Sequence, residues 1–141
     1  MKWKGIRWGA AFGGMLLAEV AQIAAAFAWV AFYSYVLHPG ETPAFYQRYA
    51  QEASPWVSVL AGPPIFYLVC RWIGSRAPSR AGATSMALFA LFVVVELAIV
   101  LSVGTLPPRI LAFMTAGLLL KLLACHLGAR SAARKEVAEP A

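Results

Sequence analysis

Residues 84–106 read TSMALFALFVVVELAIVLSVGTL. The run is long enough to cross a bilayer, because a spanning helix takes about 20 apolar residues. A single charge interrupts it, Glu96. A charge at the bilayer centre costs roughly 2.5 to 3.5 kcal/mol on insertion scales, so it is seldom left without a partner or a role. The stretch therefore reads as a membrane helix and marks its own candidate functional residue.

Three more apolar runs flank it, over about residues 8–36, 56–73 and 110–127. The chain is 61% hydrophobic and 13% charged, with mean hydropathy +0.69. A soluble domain is nearer half apolar and a quarter charged. With 141 residues there is room for a few spans and little else. The expected fold is an all-α, four-transmembrane-helix bundle forming one domain over residues 1–129. A flexible tail is expected over 130–141.

The net charge of +6 is not a nucleic-acid footprint, since the basic residues cluster at span ends and form no stripe among aromatics. Lys2, Lys4, Arg7, Arg71, Arg76, Arg80, Arg130, Arg134 and Lys135 fall on one side of the expected topology, against Arg48 and Arg109 on the other. By the positive-inside rule both termini are expected in the cytoplasm, with the chain in a cytoplasmic (inner) membrane. The basic start followed by Ala26-Phe27-Ala28 looks like a secretory signal. The apolar run continues to Val36 and contains Glu19, so an uncleaved first span is expected.

Residues 37–54 form the one sizeable loop. His38-Pro39-Gly40 is a turn signal, and Thr42 then Pro43 reads as an N-cap and first helical residue. A short interfacial helix to about Ala53 should follow, with Phe45, Tyr46 and Tyr49 on its aromatic side. Ser54-Pro55-Trp56 repeats the same signal and is expected to open the second span. Thr105-Leu106-Pro107-Pro108-Arg109 is a tight turn that makes a hairpin of spans three and four.

Glu19 and Glu96 lie about a dozen residues into spans that run in the same direction, so both fall near mid-membrane at about 1.5 Å per residue. Lys121 arrives at a similar depth from the other side, and Gln22 shares the face of Glu19. Gly62-Pro63-Pro64 sits in the middle of span two. Each proline removes a backbone donor, so a helix break is expected there, leaving the carbonyls of Val59 and Leu60 without helical partners.

Two readings follow. In one, Lys121 pairs with Glu19 or Glu96, the other carboxyl keeps its proton, and the cluster locks the bundle of a non-catalytic accessory or structural component. In the other, the mid-membrane carboxylates form a proton or ion site of a small coupled transporter beside a broken helix. Either protein would sit in the lipid bilayer as a homo-oligomer or as part of a larger membrane complex.

Gly13-Gly14-Met15-Leu16-Leu17-Ala18-Glu19-Val20 resembles the first span of the small multidrug resistance transporters, a family of four short helices. The resemblance implies that Glu19 is the proton- and cation-binding carboxylate. It covers one helix. The later aromatic and glycine-rich motifs of that family are absent here, and Glu96, Lys121 and the long loop depart from its pattern.

Gly9 and Gly13 make a GxxxG, and Ala10, Gly14 and Ala18 a second small ridge, both suited to close helix packing; Gly104 and Gly117 suggest the same role. Cys70, Cys125 and His126 lie at one level, but their spacing matches no zinc pattern, and the cysteines read as small apolar residues. His38 and His126 sit towards opposite membrane faces and match no haem attachment motif. No metal or cofactor is expected. The tryptophans mostly flank spans, as an aromatic belt does. The chain has no P-loop, dinucleotide fingerprint or HExxH, and no nucleophile–base pair, so no enzyme activity is expected.

Overall fold

The computed structural model describes residues 5–104 and 107–138. Among these the fold is all-helical. Helix α1 spans Trp8–Phe32 and runs into a π-turn over Tyr33–Leu37. Helix α2 spans Pro43–Ser75, and a short 3-10 turn over Pro78–Arg80 leads into α3, Ala81–Val103. Helix α4 spans Pro108–Ala138. All four are long and apolar enough to cross a membrane. The protein is a four-span, multi-pass membrane protein with a helical bundle.

Helix α2 opens where the sequence places the loop helix. Pro43 is at its first turn, and the Thr42 side chain accepts from the Phe45 amide at 3.3 Å. It does not stop at Ser54. The loop helix and the second span are one helix of 33 residues, about 50 Å long. The Ser54 hydroxyl donates back to the Ala50 carbonyl at 2.6 Å, a bond within the helix rather than a cap. The hydrocarbon core is about 30 Å thick, so α2 is longer than a straight crossing needs.

The expected break at Gly62-Pro63-Pro64 is also absent, and Pro55, Pro63 and Pro64 all lie inside α2. In lipid an open backbone is costly, and packing on neighbouring helices holds both halves of a proline-containing span in line. The residues expected as a tail are likewise helical as far as Ala138. Ala129 and Ala132 are buried, and Ala132 closes on Gly74 of α2. The inner part of that segment is therefore packed. Lys2, Trp3, Lys4 and the Thr105-Leu106 part of the expected turn lie outside the described residues, as does the side chain of Lys135.

Helices α2 and α4 run parallel and form the most extensive contact in the molecule. From one end to the other, Trp56 meets Phe113, Gly117 faces Val59, Cys70 meets Cys125, and Gly128 lies on the Tyr67–Arg71 backbone. A Cβ at Gly128 would sit 2.5 Å from the Tyr67 carbonyl oxygen. Only glycine allows the two backbones to come this close. Helix α1 packs on α2 and α3, and α3 also touches α2 and α4.

The small ridge of α1 that packs inward is Gly14 with Ala18, beside buried Ala11 and Met15. Gly14 faces Ile73, Leu88 and Val69. Gly9 and Gly13 face away from the bundle and meet no neighbour. Gly104 serves a different purpose from packing. It ends α3 with φ +90°, a backbone angle open chiefly to glycine. The core gathers Met15, Phe66, Val69, Cys70, Ile73, Leu88, Phe92 and Cys125, in the half of the bundle nearer the basic residues. At the opposite end, α1 is largely exposed and two clefts open on either side of α2.

Candidate functional site: a lysine-centred polar cluster

Lys121 is the residue around which the polar groups gather. Its side chain is 2% exposed, so α4 brings a full charge into the bundle interior. The ammonium group donates to the Ser58 hydroxyl of α2 at 2.9 Å. It lies 3.9 Å from a Glu96 carboxylate oxygen of α3. It also sits 4.6 Å from the centre of the Phe92 ring and 5.8 Å from that of Phe66. Those two rings stack edge-on at 4.7 Å and close the site towards the core. Cation–π attraction to a desolvated ring contributes about 2 kcal/mol at best.

Ser58 in turn donates to the Gln22 side-chain oxygen of α1 at 3.5 Å. The chain Gln22–Ser58–Lys121–Glu96 thus draws one polar group from each helix. Gly62 is what lets it close. A Cβ there would fall on Lys121 Cε and 3.1 Å from Gln22 Oε1. Glycine at this position, one turn past Ser58, lets the lysine stem lie flat along α2. The sequence signals at residues 62–64 therefore mark a lysine-sized groove in a continuous helix. They do not mark a break.

Of the two carboxylates, Glu96 is the one paired with Lys121. Glu19 lies on α1 within electrostatic reach of both Glu96 and Lys121. One of its oxygens, Oε2, is buried with no hydrogen-bond partner. With all three groups ionised, two carboxylates face one ammonium, leaving one negative charge uncompensated in a low-dielectric setting.

Glu96 is 24% exposed, and its exposed side borders a cleft between α2, α3 and α4 of about 320 Å³. Gln51, Ser54 and Ser58 form a polar file down the α2 wall of this cleft, ending at Lys121 and Glu96. The opposite wall is Ile110, Phe113, Met114 and Leu118.

Ser58, Phe66 and Phe92 belong to the site and were not among the residues singled out from the sequence. Ser58 was findable, since it lies four residues before Gly62 and so on the same helical face. The partnership of Cys70 and Cys125 was not. Their sulfurs are 3.1 Å apart, both as free, buried thiols. His126 points away and is exposed.

Comparison with models of protein families, with curated proteins and with solved structures gives no match. The resemblance of residues 13–20 to one multidrug-transporter span stays confined to that helix, where Gly13 faces outward and Gly14 inward.

Proposed function

We propose that this protein is a non-catalytic accessory component of a cytoplasmic membrane, with both termini on the cytoplasmic side, whose lysine-centred cluster fastens four helices into one orientation. The observation that carries this reading is the burial of Lys121 with ligating groups from α2 and α3 and, through Ser58, from α1. A charge held this way specifies which helices meet and in what register. The basic residues gathered at one end support the orientation. Four spans that are fastened together suit a subunit that docks on a larger assembly. The test is native mass spectrometry of the protein extracted from its own membrane in mild detergent. Co-purification with a larger, unrelated subunit is the expected result. A homo-oligomer alone would overturn the accessory role.

One observation favours a second reading, a proton- or ion-coupled transporter. The unpartnered Glu19 oxygen and the cleft that reaches Glu96 are what an exchange site needs. Under that reading Glu19→Gln and Glu96→Gln fold normally and lose flux in proteoliposomes. Under the first they lower stability and leave no flux to lose.

A further inference from the structure

The second cleft, between α1 and α2, is unlike the one that reaches Lys121. Its volume is about 520 Å³, within the range of small-molecule sites. It is lined by Ala25 and Trp29 from α1 and, from α2, by Tyr49, Glu52, Trp56 and Leu60 among others. Its composition is graded. Tyr49, Glu52, Trp29 and Trp56 surround the mouth, and Val57, Leu60, Ala61 and Ala25 line the depth. Leu60 lies eight residues below Glu52 on α2, about 12 Å deeper at 1.5 Å per residue. It is 71% exposed on a helix that spans the membrane, so the cleft opens sideways to lipid.

The aromatic walls are held in place. Trp29 Nε1 donates to the Tyr49 hydroxyl at 3.0 Å, which ties α1 to α2 across the mouth. Tyr49 is backed by Tyr33, stacked at 3.6 Å and 11°. Trp56 is braced edge-on by Phe113 of α4 at 4.4 Å. Trp29 and Trp56 nevertheless keep 42% and 49% of their surface exposed. Glu52 is exposed, and the one ion pair among the described residues is elsewhere, between Lys121 and Glu96. Arg109 borders Glu52 on the side away from this cleft but forms no ion pair with it, and a carboxylate so placed beside three fixed aromatic rings is chemistry for an ammonium group. An aliphatic floor that opens to the bilayer is chemistry for an acyl chain.

We propose that the α1–α2 cleft binds a phospholipid with an ammonium headgroup, in the leaflet opposite the basic end of the bundle. The ammonium rests against Glu52 and the faces of Trp29 and Trp56, and one acyl chain follows Val57 and Leu60 towards mid-membrane. This site is separate from the Lys121 cluster and does not depend on its role.

The test uses the full chain with Trp3, Trp8 and Trp72 replaced by phenylalanine, so that fluorescence comes from Trp29 and Trp56. The protein is titrated in detergent with phosphatidylethanolamine or phosphatidylglycerol carrying brominated acyl chains. Both lipids bear a phosphate and only the first bears an ammonium. Phosphatidylethanolamine should quench at about three- to tenfold lower concentration, the range that a partly exposed cation–π and carboxylate contact supplies. Glu52→Gln, at an exposed position, should lower the ratio to about twofold, the share left to the aromatic faces, with the helical circular dichroism unchanged. Equal quenching by the two lipids in the parent protein would overturn the proposal. So would a preference that Glu52→Gln leaves undiminished.

Discussion

Replacing Lys121 with methionine keeps the stem and removes the charge. Three of the interactions lost with it set the cost, the fourth, to Phe66 at 5.8 Å, being at the limit of cation–π range. The bond to Ser58 at 2.9 Å is worth about 0.6 kcal/mol by the average of intramembrane hydrogen bonds, and about 1.7 at the upper end. The contact with Phe92 at 4.6 Å adds about 1 kcal/mol. The ion pair with Glu96 is loose at 3.9 Å. Breaking a fully buried pair costs about 3 to 5 kcal/mol, but Glu96 is 24% exposed along the cleft, so about 1 kcal/mol is the fitting share. Methionine fills most of the groove over Gly62, which keeps the packing loss small. The expected destabilisation is about 3 kcal/mol, read as a shift in unfolding by sodium dodecyl sulfate in mixed micelles. The double variant Lys121→Met with Glu96→Gln should be more stable than the sum of the single changes by about 1 kcal/mol, because it strands no charge. A single-variant loss below about 0.5 kcal/mol, or a strictly additive cycle, would refute the claim that Lys121 fastens the bundle.

The same assay separates two glycines that the sequence does not distinguish. Gly128→Ala pushes a Cβ into the α2 backbone and should cost about 2 to 3 kcal/mol. Gly13→Ala meets nothing and should be neutral or slightly stabilising, since alanine is the better helix former. At the loop, the Tyr46 hydroxyl donates to the His38 carbonyl at 2.6 Å and accepts from the Glu41 amide at 3.1 Å. Tyr46→Phe should speed amide exchange at Glu41 severalfold, equivalent to about 1 kcal/mol of local stability, with the spans unaffected. Unchanged exchange at Glu41 would show that the hydroxyl does not hold this loop.

The four spans were legible because a bilayer demands long apolar helices and little else competes with that signal. The depth of Glu19, Glu96 and Lys121 was legible for a related reason: rise per residue converts sequence position directly into depth. Which carboxylate pairs with Lys121 was not, because depth says nothing about rotation. Glu96 wins because α3 and α4 turn these two faces together, and one helix sequence carries no record of its neighbour's angle. The prolines misled for a different reason. Thr42-Pro43 and Ser54-Pro55 are the same local signal, yet the first opens α2 and the second lies inside it. A helical first-turn proline and an interior one differ only in whether the preceding residues are also helical. The glycines show the same gap. Gly9 and Gly13 form the better-known motif, but Gly14, Gly62, Gly74 and Gly128 make the close contacts, because what counts is the backbone on the other side.

The parallel pairing of α2 with α4 has a consequence for how the chain is made. A ribosome delivering a chain into the membrane releases Glu19 and Glu96 well before Lys121. At about 5 to 20 residues per second, the gap between Glu96 and Lys121 lasts on the order of a few seconds. During that interval two acidic side chains reach the bilayer ahead of their counter-ion, and the faces of Gly62 and Gly74 await a helix that has not yet arrived. Assembly of the bundle is therefore decided by its last segment: α4 arrives as a wedge that neutralises and closes a structure that the first three helices cannot complete.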